Sequence, residues 1–248
     1  TEGSLEDNGY HTDIWVYDEA HTPALYRLTA GEDGKAPVFL DEDTLLFPGD
    51  RKKRHTGNAA EKETVYNRIP LNGGEAEPFL VLPFIASGLT PVSDGVYLVS
   101  GMRDLSAPDL SGLDEAEKAK KLKELEEEKD YEVFDELPFW INGRGVTNKK
   151  RQGLYLINEN TLLSEGKFFD LHGFTLDETH TKVAYWGNEF ESLNTQKARL
   201  FVYSLADGSR GEVPLENRYR VGNAQFVEGK LVFTGTTGEK YGSPENPA

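Results

Sequence analysis

The sequence predicts an all-β fold, and within that class a β-propeller of about four blades, on three observations. Gly supplies 25 of the 248 residues and aromatic side chains 11%, and short aromatic and β-branched runs alternate with Gly, Asp and Asn clusters, as strands alternate with turns. Four of these runs open alike: Ile14-Trp15-Val16-Tyr17-Asp18, Val65-Tyr66-Asn67-Arg68-Ile69, Leu154-Tyr155-Leu156-Ile157-Asn158 and Leu200-Phe201-Val202-Tyr203-Ser204. Each opener is followed, after a polar turn, by a second apolar run centred 31, 31, 29 and 31 residues beyond its aromatic residue. Openers lie 51, 89 and 46 residues apart, a period of propeller-blade length once the long middle interval is credited with an insertion. A large β-sandwich is the competing architecture, but it supplies no reason for a constant internal offset.

The first unit runs from Ile14 through the turn Glu19–Thr22 to Leu45-Leu46-Phe47, which Asp41-Glu42-Asp43 introduces. The second passes from Val65 through Asn72-Gly73-Gly74 to Val96-Tyr97-Leu98-Val99, preceded by Asp94-Gly95, a strong hairpin signal. The insertion, residues 102–148, follows, with 13 acidic and 7 basic side chains. Asp114 and Glu117 have the spacing of a capping box, so a helix is expected near 114–130, with Glu117 and Lys121 as an i,i+4 ion pair. Its apolar stripe, Ala116, Ala119, Leu122 and Leu125, is thin and drifts around the axis. That suits a solvated rim helix, with a partner-docking helix as the alternative.

An aromatic and acidic segment, 131–145, comes next: Tyr131, Phe134, Phe139 and Trp140 stand among Glu132, Asp135 and Glu136, before an Asn142-Gly143 turn. The rings need a surface to bury them, and the carboxylates offer negative charge to a cationic group. The third unit joins Leu154–Asn158 to Val183-Ala184-Tyr185-Trp186, and the fourth joins Leu200–Ser204 to Leu231-Val232-Phe233-Thr234.

A net charge of −16 argues against a sequence-independent nucleic-acid binder and against docking on an anionic membrane surface. The absence of Cys excludes disulfides, a thiolate zinc site and a Cys nucleophile. With no signal-peptide pattern among Glu2, Glu6 and Asp7, it leads to the expectation of a cytoplasmic protein. The most apolar window, Pro78–Leu89, is cut by Pro83 and Gly88. The chain opens at Thr1, so it is expected to be a piece of a longer one.

Catalytic patterns are missing. Ser93, Ser164 and Ser209 each have a Gly two residues on, but none has the preceding Gly of a nucleophile elbow. No phosphate loop or Gly-x-Gly-x-x-Gly occurs. The five His residues include no pair at ligand spacing, and Asp170-x-His172 is an isolated carboxylate–imidazole pair, so no metal and no cofactor are expected. The basic clusters Arg51-Lys52-Lys53-Arg54 and Lys149-Lys150-Arg151 read as solvated loop residues.

The unit Asp13-Ile14-Trp15-Val16-Tyr17-Asp18 with Tyr26-Arg27-Leu28-Thr29, and also Ile69–Glu75, is similar to the blade pattern in propellers of the prolyl oligopeptidase family of serine peptidases. The stretch Val133–Gly145 with Thr147–Arg151 resembles the acylaminoacyl-peptidase branch, where a similar segment links an insertion to the next blade. This resemblance implies a propeller, usually of seven blades, that filters peptides on their way to a C-terminal α/β-hydrolase domain carrying Ser, Asp and His.

The sequence departs from the family in showing four repeats and no hydrolase domain, so no triad residue carries over. Residues 1–248 are accordingly expected to be a partial propeller with both ends inside blades, inactive alone. Its expected partners are the α/β-hydrolase domain of the same protein and a peptide substrate. In related dipeptidyl peptidases an acidic pair on the propeller grips the substrate's amino terminus, and Glu132, Asp135 and Glu136 are the nearest analogue here. The competing reading has those carboxylates fixing the insertion by hydrogen bonds or facing water. A free-standing interaction propeller and a propeller glycosidase are the alternative functions. No Trp is followed by Asp, so the WD-repeat signature is missing.

Overall fold

Apolar runs of four or five residues between turn clusters become the middle strands of sheets, because a strand covered on both faces has no position left for a polar side chain. The structure is a computed structural model. It describes all residues except 1, 5–8, 31–34, 50–62, 107–109, 111–112, 129, 131–132, 143–144, 159–160, 165, 195–197, 216–218 and 238–248. The Arg51–Arg54 cluster therefore lies outside the described residues. The chain divides into two compact units, Thr1–Pro91 and Val92–Ala248.

In the first unit, β1 (Glu2–Ser4) pairs with β2 (Gly9–His11), and β3 (Trp15–Tyr17) with β4 (Leu25–Arg27). A four-stranded antiparallel sheet follows: β5 (Val38–Phe39), β6 (Thr44–Pro48), β7 (Thr64–Pro70) and β8 (Glu77–Leu82), hydrogen-bonded in that order. Period-two alternation sends Leu45 and Phe47 of β6 into a core with Ile14, Leu28, Ile69 and Ala76, and Leu46 to the other face, also fully buried. On β3 and β4 the same alternation packs Val16 and Tyr26 against that core and leaves Trp15, Tyr17 and Leu25 exposed. The Tyr26 hydroxyl is satisfied by the Leu71 carbonyl at 2.9 Å.

The second four-stranded sheet is β9 (Ala86–Ser93), β10 (Val96–Asp104), then, beyond the helix α1 (Glu115–Glu127) and a small hairpin of β11 (Trp140–Ile141) and β12 (Gly145–Val146), β13 (Lys150–Ile157) and β14 (Thr161–Leu162). The third is β15 (Phe169–Leu176), β16 (Lys182–Glu189), β17 (Ala198–Ser204) and β18 (Arg210–Glu212), and a final pair joins β19 (Tyr219–Val227) to β20 (Lys230–Thr237). In the second unit Val183 and Tyr185 face Leu98, Leu154, Leu156 and Phe169, while Ala184 and Trp186 face Val221 and Ala224. The strand β16 thus has a core on each side.

Gly187 is required here, since a Cβ would lie 2.0 Å from the backbone oxygen of Asp170 on the neighbouring strand. No helix among the described residues is long and apolar enough to cross a membrane.

These sheets are blades of a β-propeller. Among the described residues three sheets have four strands, and the pairs β1–β2 and β3–β4 precede them in the chain while β19–β20 follows. They cut the repeat differently from its appearance in the sequence. Each second run pairs with the next opener: Leu45 with Ile69, Val99 with Tyr155, and Tyr185 with Phe201. The offset of about 31 residues therefore joins consecutive sheets, running from the opener through the outer strand and the crossing to the second strand of the next sheet.

Candidate functional site

The insertion is the loop of the β10–β13 hairpin. Asp104 pairs with Lys150, and the Leu105 N–H donates to the Lys149 carbonyl at 2.8 Å, so the ladder closes beneath it. Met102 and Arg103 belong to β10, which places the insertion at 105–149 rather than 102–148.

The helix α1 forms as expected, between Glu115 and Glu127, with a reciprocal capping box: Glu117 N–H donates to Asp114 at 2.8 Å, and Asp114 N–H to Glu117 at 3.1 Å. That return bond turns Glu117 away from Lys121, and Lys121 pairs with Glu124 instead. No residue of α1 is buried.

The segment after α1 is anchored to the third sheet. Leu137 N–H donates to the Ser192 carbonyl at 2.7 Å, and Asn194 N–H to the Leu137 carbonyl at 3.0 Å, a one-residue parallel bridge to Leu193. Beside it Glu136 turns inward onto Arg151. The guanidinium donates from Nη2 at 2.7 Å and Nη1 at 3.1 Å, and the Lys149 N–H donates to the same carboxylate. Both side chains are buried, to 2% and 1% residual exposure. The guanidinium stacks 3.9 Å from the Phe190 ring centroid and donates further to the carbonyls of Lys150 and Phe190. A fork-to-fork pair of this kind satisfies two desolvated charges at once and fixes direction as well as distance.

Around the latch, Asn148 Nδ2 donates to the Val133 carbonyl at 2.8 Å, and Thr147 N–H to the Phe139 carbonyl at 2.8 Å.

Of the carboxylates singled out from sequence, Glu132 lies outside the described residues. Asp135 is at the surface, 2.9 Å from Lys149 Nζ. Glu136 faces inward with its oxygens engaged by its own chain. Arg151 corrects the reading of Lys149-Lys150-Arg151 as solvated: it sits on β13 on the face shared by Gly153 and Ile157, and the insertion supplies its counter-charge. Sequence reasoning also passed over Phe190 and Leu193, which stand in the β16–β17 connection and carry no motif. The alternation of β13 was the available signal for Arg151.

A second feature of this unit is a cleft of about 460 Å³ between hairpin ends, lined by Val92, Val96, Leu156, His180, Tyr203 and Asp207 among others. His180 Nδ1 lies 3.0 Å from the Val92 carbonyl, which can only accept, so Nδ1 carries the proton. Asp177, in the turn before His180, is partly desolvated, which raises its pKa. Donation from the Thr179 and Thr181 hydroxyls and the Thr181 and Lys182 N–H groups outweighs this and holds the carboxyl at about 2. Asp207 is likewise lowered to about 2, by the Ser209 N–H first and then by the hydroxyls of Ser204 and Ser209. These carboxylates are turn clamps. Among the described residues no three His, Asp or Glu side chains group as a metal site, and Asp170 accepts from the Gln152 N–H at 2.7 Å.

An acylaminoacyl peptidase in complex with Z-Gly-Gly-Phe-chloromethyl ketone superposes on 94% of this chain with a TM-score of 0.56 and 12% identity, over 40% of its own length. The Pyrococcus horikoshii acylaminoacyl peptidase does so with a TM-score of 0.52 and 14% identity, again over 94% of this chain and 40% of that one. The β-propeller domain of the Trilobed protease from Pyrococcus furiosus aligns at a TM-score of 0.48 and 16% identity, over 94% of this chain and 57% of that one. No protein-family model and no curated protein matches the sequence. At these identities the likeness to the two peptidases shows the fold alone, and the chain spans about two fifths of their length.

Proposed function

We propose that this chain is the non-catalytic propeller portion of an acylaminoacyl-peptidase-like serine peptidase, where it docks on an α/β-hydrolase domain and gates the entry of peptides. The observation that carries this reading is the breadth of the match, 94% of the chain on two fifths of an acylaminoacyl peptidase. The segment Val133–Gly145, which resembles that branch in sequence, supports it independently. Contact with a substrate amino terminus falls to Asp135 in this reading, because the Glu136 carboxylate is committed to Arg151.

A fluorophosphonate probe tests the assignment. The 248-residue chain is expected to stay unlabelled, and a polypeptide extended through a Gly-x-Ser-x-Gly motif is expected to label at that Ser. Stoichiometric labelling of a Ser in the chain itself would overturn the non-catalytic role. In the extended protein Asp135→Asn is expected to raise KM for free-amine peptides more than for N-acylated ones; equal effects remove the contact. The exposed aromatic side chains of the insertion favour a second reading, an interaction propeller without a hydrolase. A stop codon directly after Ala248 in the coding sequence would support that reading over the first.

A further inference from the structure

The cleft between hairpin ends in the second unit has no part in the function proposed above. Its apolar walls are the open end of a core. Val96, Tyr203 and Leu205 pack on the cluster that holds Leu98, Leu154 and Leu156, stay partly exposed, and line the cleft together with Leu156. The ends of four hairpins complete the lining: β9–β10, β13–β14, β15–β16 and β17–β18. A volume of about 460 Å³ falls in the lower part of the roughly 300–1,000 Å³ span of small-molecule sites.

Two polar groups decide what such a cleft would take. Among its described lining residues the only Asp, Glu, Lys or Arg is Asp207. The donors that hold Asp207 ionised are the Ser209 N–H and the hydroxyls of Ser204 and Ser209. All are neutral, so they leave its charge uncompensated, whereas Asp135 and Glu136 each face a cation. His180 is the second group. Its φ of +53° lies in the left-handed region, uncommon for a residue with a side chain, and strain of this kind clusters at ligand sites. Its Nδ1 is spent on the Val92 carbonyl of the neighbouring sheet, so in the neutral ring Nε2 is left as an acceptor.

We propose that this cleft binds a small organic ammonium ion carried on an apolar body, its charge toward Asp207 and its body against Leu156, Tyr203 and Leu205. His180 Nε2 supplies a second acceptor for an ammonium N–H. An anionic ligand would meet Asp207 with like charge, and a purely apolar one would desolvate acceptors without giving them a donor. The inference stands whether or not a hydrolase domain accompanies the propeller.

The test is an amide-resolved NMR titration of the intact chain with phenethylamine, phenethyl alcohol and phenylpropionate, which share a ring and differ in charge. At neutral pH the amine is expected to shift the amides of 93–96, 180–181 and 205–208 saturably. The alcohol and the acid are expected to bind at least about tenfold more weakly. Ala206→Lys, in an exposed turn that lines the cleft, brings in a competing cation. It is expected to weaken amine binding about tenfold or more with an unchanged melting temperature, and Asp207→Asn to weaken it likewise. Equal binding of the three probes, no saturable shift with the amine, or amine binding indifferent to both substitutions overturns the inference. So does tighter binding of the tripeptide Phe-Gly-Gly, which carries the same ammonium at the end of a chain and would make the cleft a peptide subsite.

Discussion

Glu136 and Arg151 stand 15 positions apart in the chain and share one desolvated site. Replacing one member strands the other's charge or hydrogen bonds, so the pair's cost of disruption exceeds its net contribution. Glu136→Gln is expected to lower the unfolding free energy by roughly 3 kcal/mol, and adding Arg151→Met to restore at least about half of that. Urea denaturation of the four corners of this cycle checks it, and additive single effects would show that the two side chains do not act as a pair. Asp177 gives a prediction in pH. Its folded carboxyl titrates at about 2 against an ordinary 3.8, so its stabilisation is present above pH 3.8 and is lost as pH falls through about 2. The stability gap between the native chain and Asp177→Asn is therefore expected to be widest near neutrality and to close between those two values in acid titration followed by circular dichroism. A gap that stays constant to pH 2 would mean that the turn bonds do not depend on the carboxylate. Neither role was visible in the sequence. A lone Asp in a turn looks like any other, and a basic triplet looks solvated until a distant carboxylate is brought to it.

The helix α1 shows the opposite case, an element legible in full because everything that makes it is local. The capping box, the Ala, Lys, Glu and Leu composition and the weak stripe fall within 15 residues, and its ends lie close to those expected. What failed was the choice of ion pair, since a side chain that caps the helix end cannot also reach the next turn. Because no α1 residue is buried, its stability is its own. Asp114→Ala is expected to cost the helix about 1 kcal/mol, seen as faster amide exchange across residues 115–120. The unfolding midpoint of the sheets should not move. A lowered midpoint would mean that α1 is docked and contributes to a core. The strands were legible in kind but not in partnership. Leu45 and Ile69 each announce a strand, yet only the sheet shows that they belong together, because a meander leaves the pairing of equally spaced strands open by half a unit.

At the scale of the molecule, what distinguishes one blade strand from another is the number of its faces that are covered. β16 has Val183 and Tyr185 in one core and Ala184 and Trp186 in another, so opening it exposes both and approaches global unfolding. β3 has Val16 in a core and Trp15 and Tyr17 at the surface, and it is a three-residue strand in a two-stranded sheet. Local opening there forfeits little burial, and exchange follows the cheapest opening available. Amide hydrogen exchange followed by mass spectrometry is expected to rank the strands by this criterion. Protection should be greatest in 183–186, 98–99 and 45–47, intermediate in 154–156 and least in 15–17 and 25–27. The order is independent of the apolar content of each run, since Trp15-Val16-Tyr17 is as apolar as Val183-Ala184-Tyr185. If 15–17 proves as protected as 183–186, the exposed face of Trp15 and Tyr17 must be covered in solution, and coverage of the blade faces then ceases to be what sets local stability in this chain.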